Sequence, residues 1–404
     1  MNRRYACAEP TSVPASSVSA PSDPAFPPIY ADAAAAVPPY DAAMREFDRV
    51  SREFWQNPSS RTGGGKRAAA CLARAREECA ALLGCHADEL YFTSGGTEGI
   101  NWAIRAALSL GQGKLVTSAM EHPASAHCAE RESALGRQVV FLSPEENGRI
   151  SPHAVENELA ARNTALLSVM AANNETGVLQ PVEELSALAA HYGTLFFSDG
   201  VQLPGSVPVS PRALGCDMMA FSGHKFGAPR GCGLLFVRRG TPLPPLLLGG
   251  GQENGKRAGT QNVAAAASMA VALRESLAAC AAQDALSALR DRFEREMLRA
   301  FPHTCRIYGA DAPRLPGFSC LSFDGAPGEA LTLLLDLNGI SVSVGSACRL
   351  GGTAPSPVLL SMGVPASDAL GAVRFSFSYR NTPSELDSLV SRLPALVSRL
   401  RSLT

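Results

Sequence analysis

Residues 217–233 read DMMAFSGHKFGAPRGCG, and the fold is decided there. Met218, Met219, Ala220 and Phe221 form a short apolar run of the length expected of a buried strand, bounded on both sides by residues that break regular structure. Lys225 therefore falls just past a strand end. Ser222 and His224 flank it, and Gly227, Pro229, Gly231 and Gly233 turn the chain away. One ammonium is thus held at the mouth of a sheet, where α/β enzymes keep their chemistry.

Desolvation and nearby cations lower an amine's pKa, and a lysine so placed forms a Schiff base with an aldehyde and shuttles protons. A surface lysine in a βα loop is the plain alternative. Upstream, Asp199 follows the strand-like run Leu195-Phe196-Phe197, which sets a carboxylate near the same end of the sheet. A lysine and an aspartate at adjacent strand ends suit pyridoxal 5'-phosphate, whose aldehyde takes the amine and whose ring nitrogen takes the acid.

The strand–helix alternation extends well beyond this stretch. Strands are expected at 89–93, 114–118, 138–142 and 165–170, and helices at 66–83, 124–135, 152–161 and 181–192. Such alternation means a largely parallel sheet with helices on both faces, an α/β fold. Polar residues gather just past the strand ends: Glu121-His122, Asn173-Asn174-Glu175, Asp199 with Gln202, and Ser222-His224-Lys225. Four such sets at corresponding ends describe a site. Ser94-Gly95-Gly96-Thr97-Glu98 opens a helix after a strand, so Gly96 and Thr97 present N–H groups to an anion or simply cap the helix. Gly63-Gly64-Gly65-Lys66 resembles the end of a phosphate loop, but Arg67 and Ser60 stand where a hydroxyl residue and a glycine are needed, and no Walker-type site is expected.

The C-terminal third reads as mixed α+β, with a helical segment near 263–300 leading into it, a strand at 319–323, a helix at 327–337 and a strand at 340–344. Cys348 lies in the glycine-rich run that follows, where exposure and the neighbouring Arg349 favour thiolate; a loop cysteine of no consequence is the alternative. Arg374 begins another strand, and its guanidinium either forks a carboxylate or pairs with a surface acid.

The 404 residues, 46% hydrophobic and 18% charged, suit a globule of two domains in one subunit. A net charge of −1 supplies no bulk attraction to nucleic acid or anionic membrane, and no apolar run is read as spanning a bilayer. Eleven cysteines occur without a CxxC pair, so neither a metal site nor a dithiol is expected, and their odd number without a secretory signal points to a reducing cytoplasm. Residues 1–28 hold six prolines among Ser and Ala and are read as a disordered tail.

The ordered series YADAAAAVP, NPSS, FTSGGTEGINWAI, MEHPA, NNETGVLQP, SDGVQLPG, FSGHK, GGGQENGKRAGT, SVGSAC and VRFSFS resembles the cysteine desulfurases of the NifS/IscS type, over about residues 29–395. These belong to the class-V aminotransferase-like branch of fold-type I enzymes that use pyridoxal phosphate. The resemblance implies a segment 29–44 packing with the small domain, a large cofactor domain at 45–277 and a small C-terminal domain at 278–404.

It makes Lys225 the lysine that takes the cofactor aldehyde, Asp199 the partner of the ring nitrogen, His122 the residue stacked on the ring and Gln202 the partner of its phenolic oxygen. Gly96, Thr97, Ser222 and His224 hold the phosphate, with Thr260 reaching in from the other subunit of a homodimer. Asn174 and Arg374 hold the substrate carboxylate. Cys348 takes sulfur from L-cysteine as a persulfide, leaving alanine, and passes it to an acceptor protein of an iron–sulfur or thio-cofactor pathway. Ala36, Val37, Asn254, Ala258 and Val344 depart from the usual pattern without removing a catalytic group. A selenocysteine lyase or another class-V enzyme is the alternative on the same fold, and a catalytically weak sulfur-relay module is the alternative outside enzymes.

Overall fold

The structure is a computed structural model that describes residues 28–161, 163–345 and 354–402. The expected tail up to residue 27 and Cys348 lie outside the described residues.

The chain enters through β1 (Ile29–Tyr30), then α1 (Asp41–Glu53) and α2 (Gly63–Leu82). Strands and helices then alternate: β2 (Leu90–Thr93), α3 (Gly96–Ser109), β3 (Lys114–Ser118), α4 (Pro123–Ala134), β4 (Val139–Leu142), α5 (Pro152–Ala160), β5 (Thr164–Ser168), α6 (Val182–His191) and β6 (Leu195–Asp199). β7 (Met218–Ser222) and β8 (Gly233–Val237) complete a seven-stranded sheet of order β2-β8-β7-β6-β5-β3-β4. All five residues of β7 are buried, as befits a strand covered on both faces. From β7 through β4 neighbouring strands run parallel, whereas β8 pairs antiparallel with both β7 and β2. The parallel portion thus aims its carboxyl ends at one edge, the edge on which polar residues cluster.

α7 (Val263–Ala279) and α8 (Gln283–Ala300) are separated by a tight turn at Cys280–Ala282. This segment, Val263–Ala300, is long and apolar enough to cross a membrane by length and composition, which corrects the expectation that no run was; 67% of its most apolar window is buried within the protein. α7 lies against α1 and α2. A four-stranded antiparallel sheet of order β12-β13-β10-β9 follows, from β9 (Cys305–Tyr308), β10 (Phe318–Phe323), β12 (Ser343–Val344) and β13 (Ala372–Ser376), with β11 (Ile340–Ser341) paired in parallel to β1. Helices α8, α9 (Gly328–Asp336) and α12 (Pro383–Arg401) pack with it, whereas α10 (Pro357–Ser361) and α11 (Ala366–Leu370) add Val358, Leu359 and Ala369 to the apolar cluster of the larger sheet. Ile29 and Ala31 share one apolar cluster with Phe293, Phe323, Phe375 and Leu389, so the entering strand is held by the C-terminal sheet.

The single strand expected at 340–344 is two strands in different sheets, because Ile340 pairs with Ile29 while Ser343 pairs with Arg374. α2 begins three residues earlier than expected, at Gly63, with the Thr62 hydroxyl accepting from Gly65 N–H at 3.2 Å. A side chain at Gly65 would lie 2.4 Å from the Ser60 carbonyl, so here glycine serves close packing inside a helix and not a phosphate loop.

Candidate active site

A cavity of about 640 Å³ opens at the carboxyl ends of the parallel strands. Asp199 ends β6, opposite Ala220 of the adjacent parallel strand β7, and Lys225 follows β7 by three residues, so two neighbouring strands deliver both groups to this cavity. Lys225 Nζ donates to the carbonyls of Ala34 at 2.6 Å and Ala35 at 3.0 Å. Gln202 Nε2 donates to the Ala34 carbonyl at 3.2 Å. The segment after β1 is therefore fastened across the lysine.

Asp199 is fully buried, and burial pushes its carboxyl up to about 6 against the pull of the Val201 N–H and the Lys225 ammonium. Its Oδ1 accepts from Val201 N–H at 2.9 Å. A carboxylate so poorly solvated favours a cationic N–H donor in the cavity.

His122 caps α4, and its Nδ1 accepts the Ala124 N–H at 3.1 Å, which leaves Nε2 to carry the proton. Burial, then the Lys225 charge, lower this imidazole to about 4, so a flat neutral ring lines the cavity at physiological pH.

Gly96, Thr97, Ser222 and His224 also line the cavity. A side chain at Gly96 would meet Val201 at 2.8 Å and Ser222 at 3.2 Å, so the first turn of α3 is exposed as bare backbone. Ser222 Oγ and His224 Nδ1 are 3.0 Å apart, and burial followed by the charges of Lys225 and Arg230 lowers His224 to about 4. Helix N–H groups, a hydroxyl and an imidazole make a donor set suited to a phosphate monoester. Together with the lysine, the buried carboxylate and the flat ring, this set fits pyridoxal 5'-phosphate.

Asn174 and Arg374 form a further wall. Arg374 Nη1 donates to the Asn174 carbonyl and Nη2 to Asp32 Oδ1, both at 2.7 Å, while its buried Nε has no protein partner. That orphaned donor suits a substrate carboxylate. Asn173, grouped with Asn174 by sequence, is instead a turn residue: its Oδ1 accepts the N–H groups of Glu175 and Thr176 at 2.9 Å each.

Ten of the residues expected at the site thus meet in one cavity. Thr260 does not line it and is exposed on the surface of its own chain, and Cys348 lies outside the described residues. Ser343 and Gly345, the latter three residues before Cys348, do line the cavity. No described cysteine does; the nine described cysteines are free thiols, and burial pushes Cys85, Cys216, Cys232 and Cys305 up to about 12.

Sequence reasoning missed Asp32 and Arg230, and it named Glu121 only as one of the polar residues past a strand end. Asp32 sits in the quoted motif YADAAAAVP, yet nothing in the motif predicts its partner 342 residues away. Arg230 lines the cavity mouth from the GAPRG turn. Glu121 is buried beneath the site, accepts from Ser118 Oγ at 2.7 Å and Met170 N–H at 2.8 Å, and leaves Oε2 without a partner. Burial first, with Asp199 adding, raises it to about 8, so it is a neutral acid at pH 7. A larger cavity of about 720 Å³, bordered by Arg306, Glu329 and Asp368, shares only Gly345 with the first and holds neither lysine nor histidine.

A family model for class-V aminotransferases matches residues 29–389. The chain is 43% identical over 366 residues to a cysteine desulfurase of Cereibacter sphaeroides, covering 90% of this chain and 93% of that protein. Among solved structures, a NifS-like protein superposes with a TM-score of 0.86 at 32% identity, covering 92% of this chain and all of that one. A structure described as SspA in complex with cysteine superposes with a TM-score of 0.75 at 28% identity, over 88% of this chain and all of that one.

Proposed function

The chain belongs to the class-V aminotransferase family and, within it, to the cysteine desulfurases, and on that premise we propose that it converts L-cysteine to L-alanine with a persulfide on Cys348 that is handed to an acceptor protein. The observation that carries this reading is the position of Gly345. It lines the same cavity as Lys225, Asp199 and Arg374, and in the sequence Cys348 follows it by three residues, a length of chain of at most about 10 Å.

Pyridoxal 5'-phosphate, held by Lys225, Asp199, His122 and the Gly96–Thr97–Ser222–His224 donors, supplies the electron sink that makes the substrate Cα proton labile. Arg374 and Asn174 fix the substrate carboxylate and so orient that Cα. The Lys225 amine, steered by the carbonyls of Ala34 and Ala35, carries the proton from Cα. Neutral His122 and neutral Glu121 add no competing charge near Asp199 at pH 7. The Cys348 thiolate attacks the substrate sulfur: an S–S bond forms, the Cβ–S bond breaks, and its electron pair with a proton remains on Cβ. L-Cysteine and the Cys348 thiol thus become L-alanine and the Cys348 persulfide, with no outside oxidant. Exchange with an acceptor thiol regenerates Cys348.

The same reading makes the enzyme a homodimer. The loop after β8 exposes Leu248 (89%), and Trp55 (74%) is exposed in the segment that Gln252 joins through Ser59. Glu253 and Asn254 take left-handed φ of 47° and 56°, a costly backbone that Glu253 pins through Arg76 at 2.6 Å and Phe92 N–H at 2.9 Å. A strained, anchored loop with an exposed apolar tip suits contact with a second copy, where Thr260 would complete the phosphate site. The free thiols suit a reducing cytoplasm.

The test is the Cys348→Ala variant, purified with cofactor and given L-cysteine. It retains cofactor absorbance and the substrate-induced spectral change but forms no alanine or sulfide; full turnover without the thiol would remove the persulfide route.

A further inference from the structure

Glu175 connects the substrate wall of the cavity to both flanks of residues 346–353, the segment that carries Cys348. The first flank is Gly345, where an added side chain would fall 2.2 Å from Glu175 Oε2, so the carboxylate rests directly on this backbone. The second flank is Ser356, whose hydroxyl donates to the same Oε2 and also accepts the Leu359 N–H at 3.2 Å as the cap of α10. Glu175 and Ser356 are 5% and 3% exposed, so this contact is shielded from solvent. A buried carboxylate is costly unless hydrogen-bonded, which makes the arrangement specific.

The carboxylate is itself held by a stiff turn. Asn173 Oδ1 ties down the Glu175 and Thr176 N–H groups, and the Asn174 carbonyl is gripped by Arg374. Arg374 pairs with Ser343 across β13 and β12, two residues before Gly345. One turn thus presents Asn174 to the substrate carboxylate and Glu175 to the ends of the cysteine segment.

We propose that Glu175 is a positioning residue for Cys348: by gathering Gly345 and Ser356 onto the turn that presents Asn174, it sets where the thiol enters the cavity. The proposal rests on the cysteine desulfurase reading. Glu175 Oε2 fixes the separation of Gly345 and Ser356, the two points that residues 346–353 must span, and removing it loosens that separation without altering the substrate's own contacts.

The experiment uses the full-length, cofactor-loaded protein as wild type, Glu175→Ala, Glu175→Gln, Ser356→Ala and Glu175→Ala/Ser356→Ala. Four readouts are taken: KM and kcat with L-cysteine, the change in cofactor absorbance on substrate addition, the single-turnover rate of sulfur gain on Cys348 by mass spectrometry, and the rate of iodoacetamide alkylation of Cys348 without substrate. In Glu175→Ala the spectral change and KM stay within about twofold, whereas kcat and sulfur gain fall at least about tenfold and the alkylation rate changes by a factor of about three or more. Glu175→Gln, which still accepts the Ser356 proton, recovers part of the loss, and the double variant is no worse than Glu175→Ala. Should Glu175→Ala fail to accumulate, Ser356→Ala breaks the contact from its other side. Wild-type sulfur gain in both single variants, or a loss confined to KM and the spectral change, overturns the proposal. A wild type that gains no sulfur sinks the desulfurase reading alone; the alkylation rate then decides the role of Glu175, and an unchanged rate overturns it.

Discussion

The ammonium of Lys225 donates to the carbonyl of Ala34 at 2.6 Å, so a segment entering from the C-terminal sheet and a lysine from the central sheet meet at one point of the cavity. Lys225→Arg keeps a cationic donor for that carbonyl but has no amine to condense with an aldehyde. Borohydride reduction of the variant incubated with pyridoxal phosphate is expected to leave no pyridoxyl group on the corresponding peptide, and turnover of L-cysteine to fall by at least about 10²–10⁴-fold. Thermal unfolding without cofactor should change little, which separates chemistry from fold.

Asp199 should show opposite effects on activity and on stability. Its folded pKa of about 6 lies above the ordinary 3.8, so the stability its protonated form confers is full below 3.8 and is lost as pH rises through 6. Asp199→Asn removes that loss. Without cofactor the variant should resist urea better than wild type above pH 7 while losing about 10²-fold or more in kcat. Equal urea midpoints would contradict the burial argument.

Glu121 extends the same sign to higher pH. Raised to about 8 from 4.5, it contributes stability that is full below 4.5 and drains as pH climbs through 8. Between about pH 6 and 8 the wild-type urea midpoint should decline, and Glu121→Gln should flatten that decline while folding normally at pH 6. A parallel decline in both proteins would assign the slope to other groups.

Gly96→Ala tests the bare first turn of α3. The added methyl meets Val201 at 2.8 Å and Ser222 at 3.2 Å, on the face where the phosphate is to be held. Overpacking of this kind costs about 1–3 kcal/mol, so the variant should lose cofactor on dialysis while its secondary structure by circular dichroism is retained. Undiminished cofactor retention would place the phosphate elsewhere.

Residues that act through their place on a strand were legible in the sequence. Apolar runs such as MMAFS end in polar residues, and parallel pairing converts those ends into one edge, which is why Asp199, Ser222 and Lys225 were found together. Direction was not legible for GLLFV: β8 has the same apolar run as a parallel strand, and only its short connection to β7 forces antiparallel pairing. The period-2 run at 340–344 likewise hides its division, because β1 and β13 supply the two partners from distant parts of the chain. Asp32 and Glu175 owe their roles to partners 342 and 181 residues away, and local spacing carries no trace of such contacts. Arg230 was passed over because its turn reads as punctuation, though the turn also aims a side chain at the cavity.

The most direct test is one turnover with the intact protein. Wild type loaded with pyridoxal phosphate and mixed with one equivalent of L-cysteine, without reductant, should yield one equivalent of alanine and one added sulfur on the peptide containing Cys348. Alanine formed with that peptide unchanged, or sulfur found on another cysteine, would contradict the account.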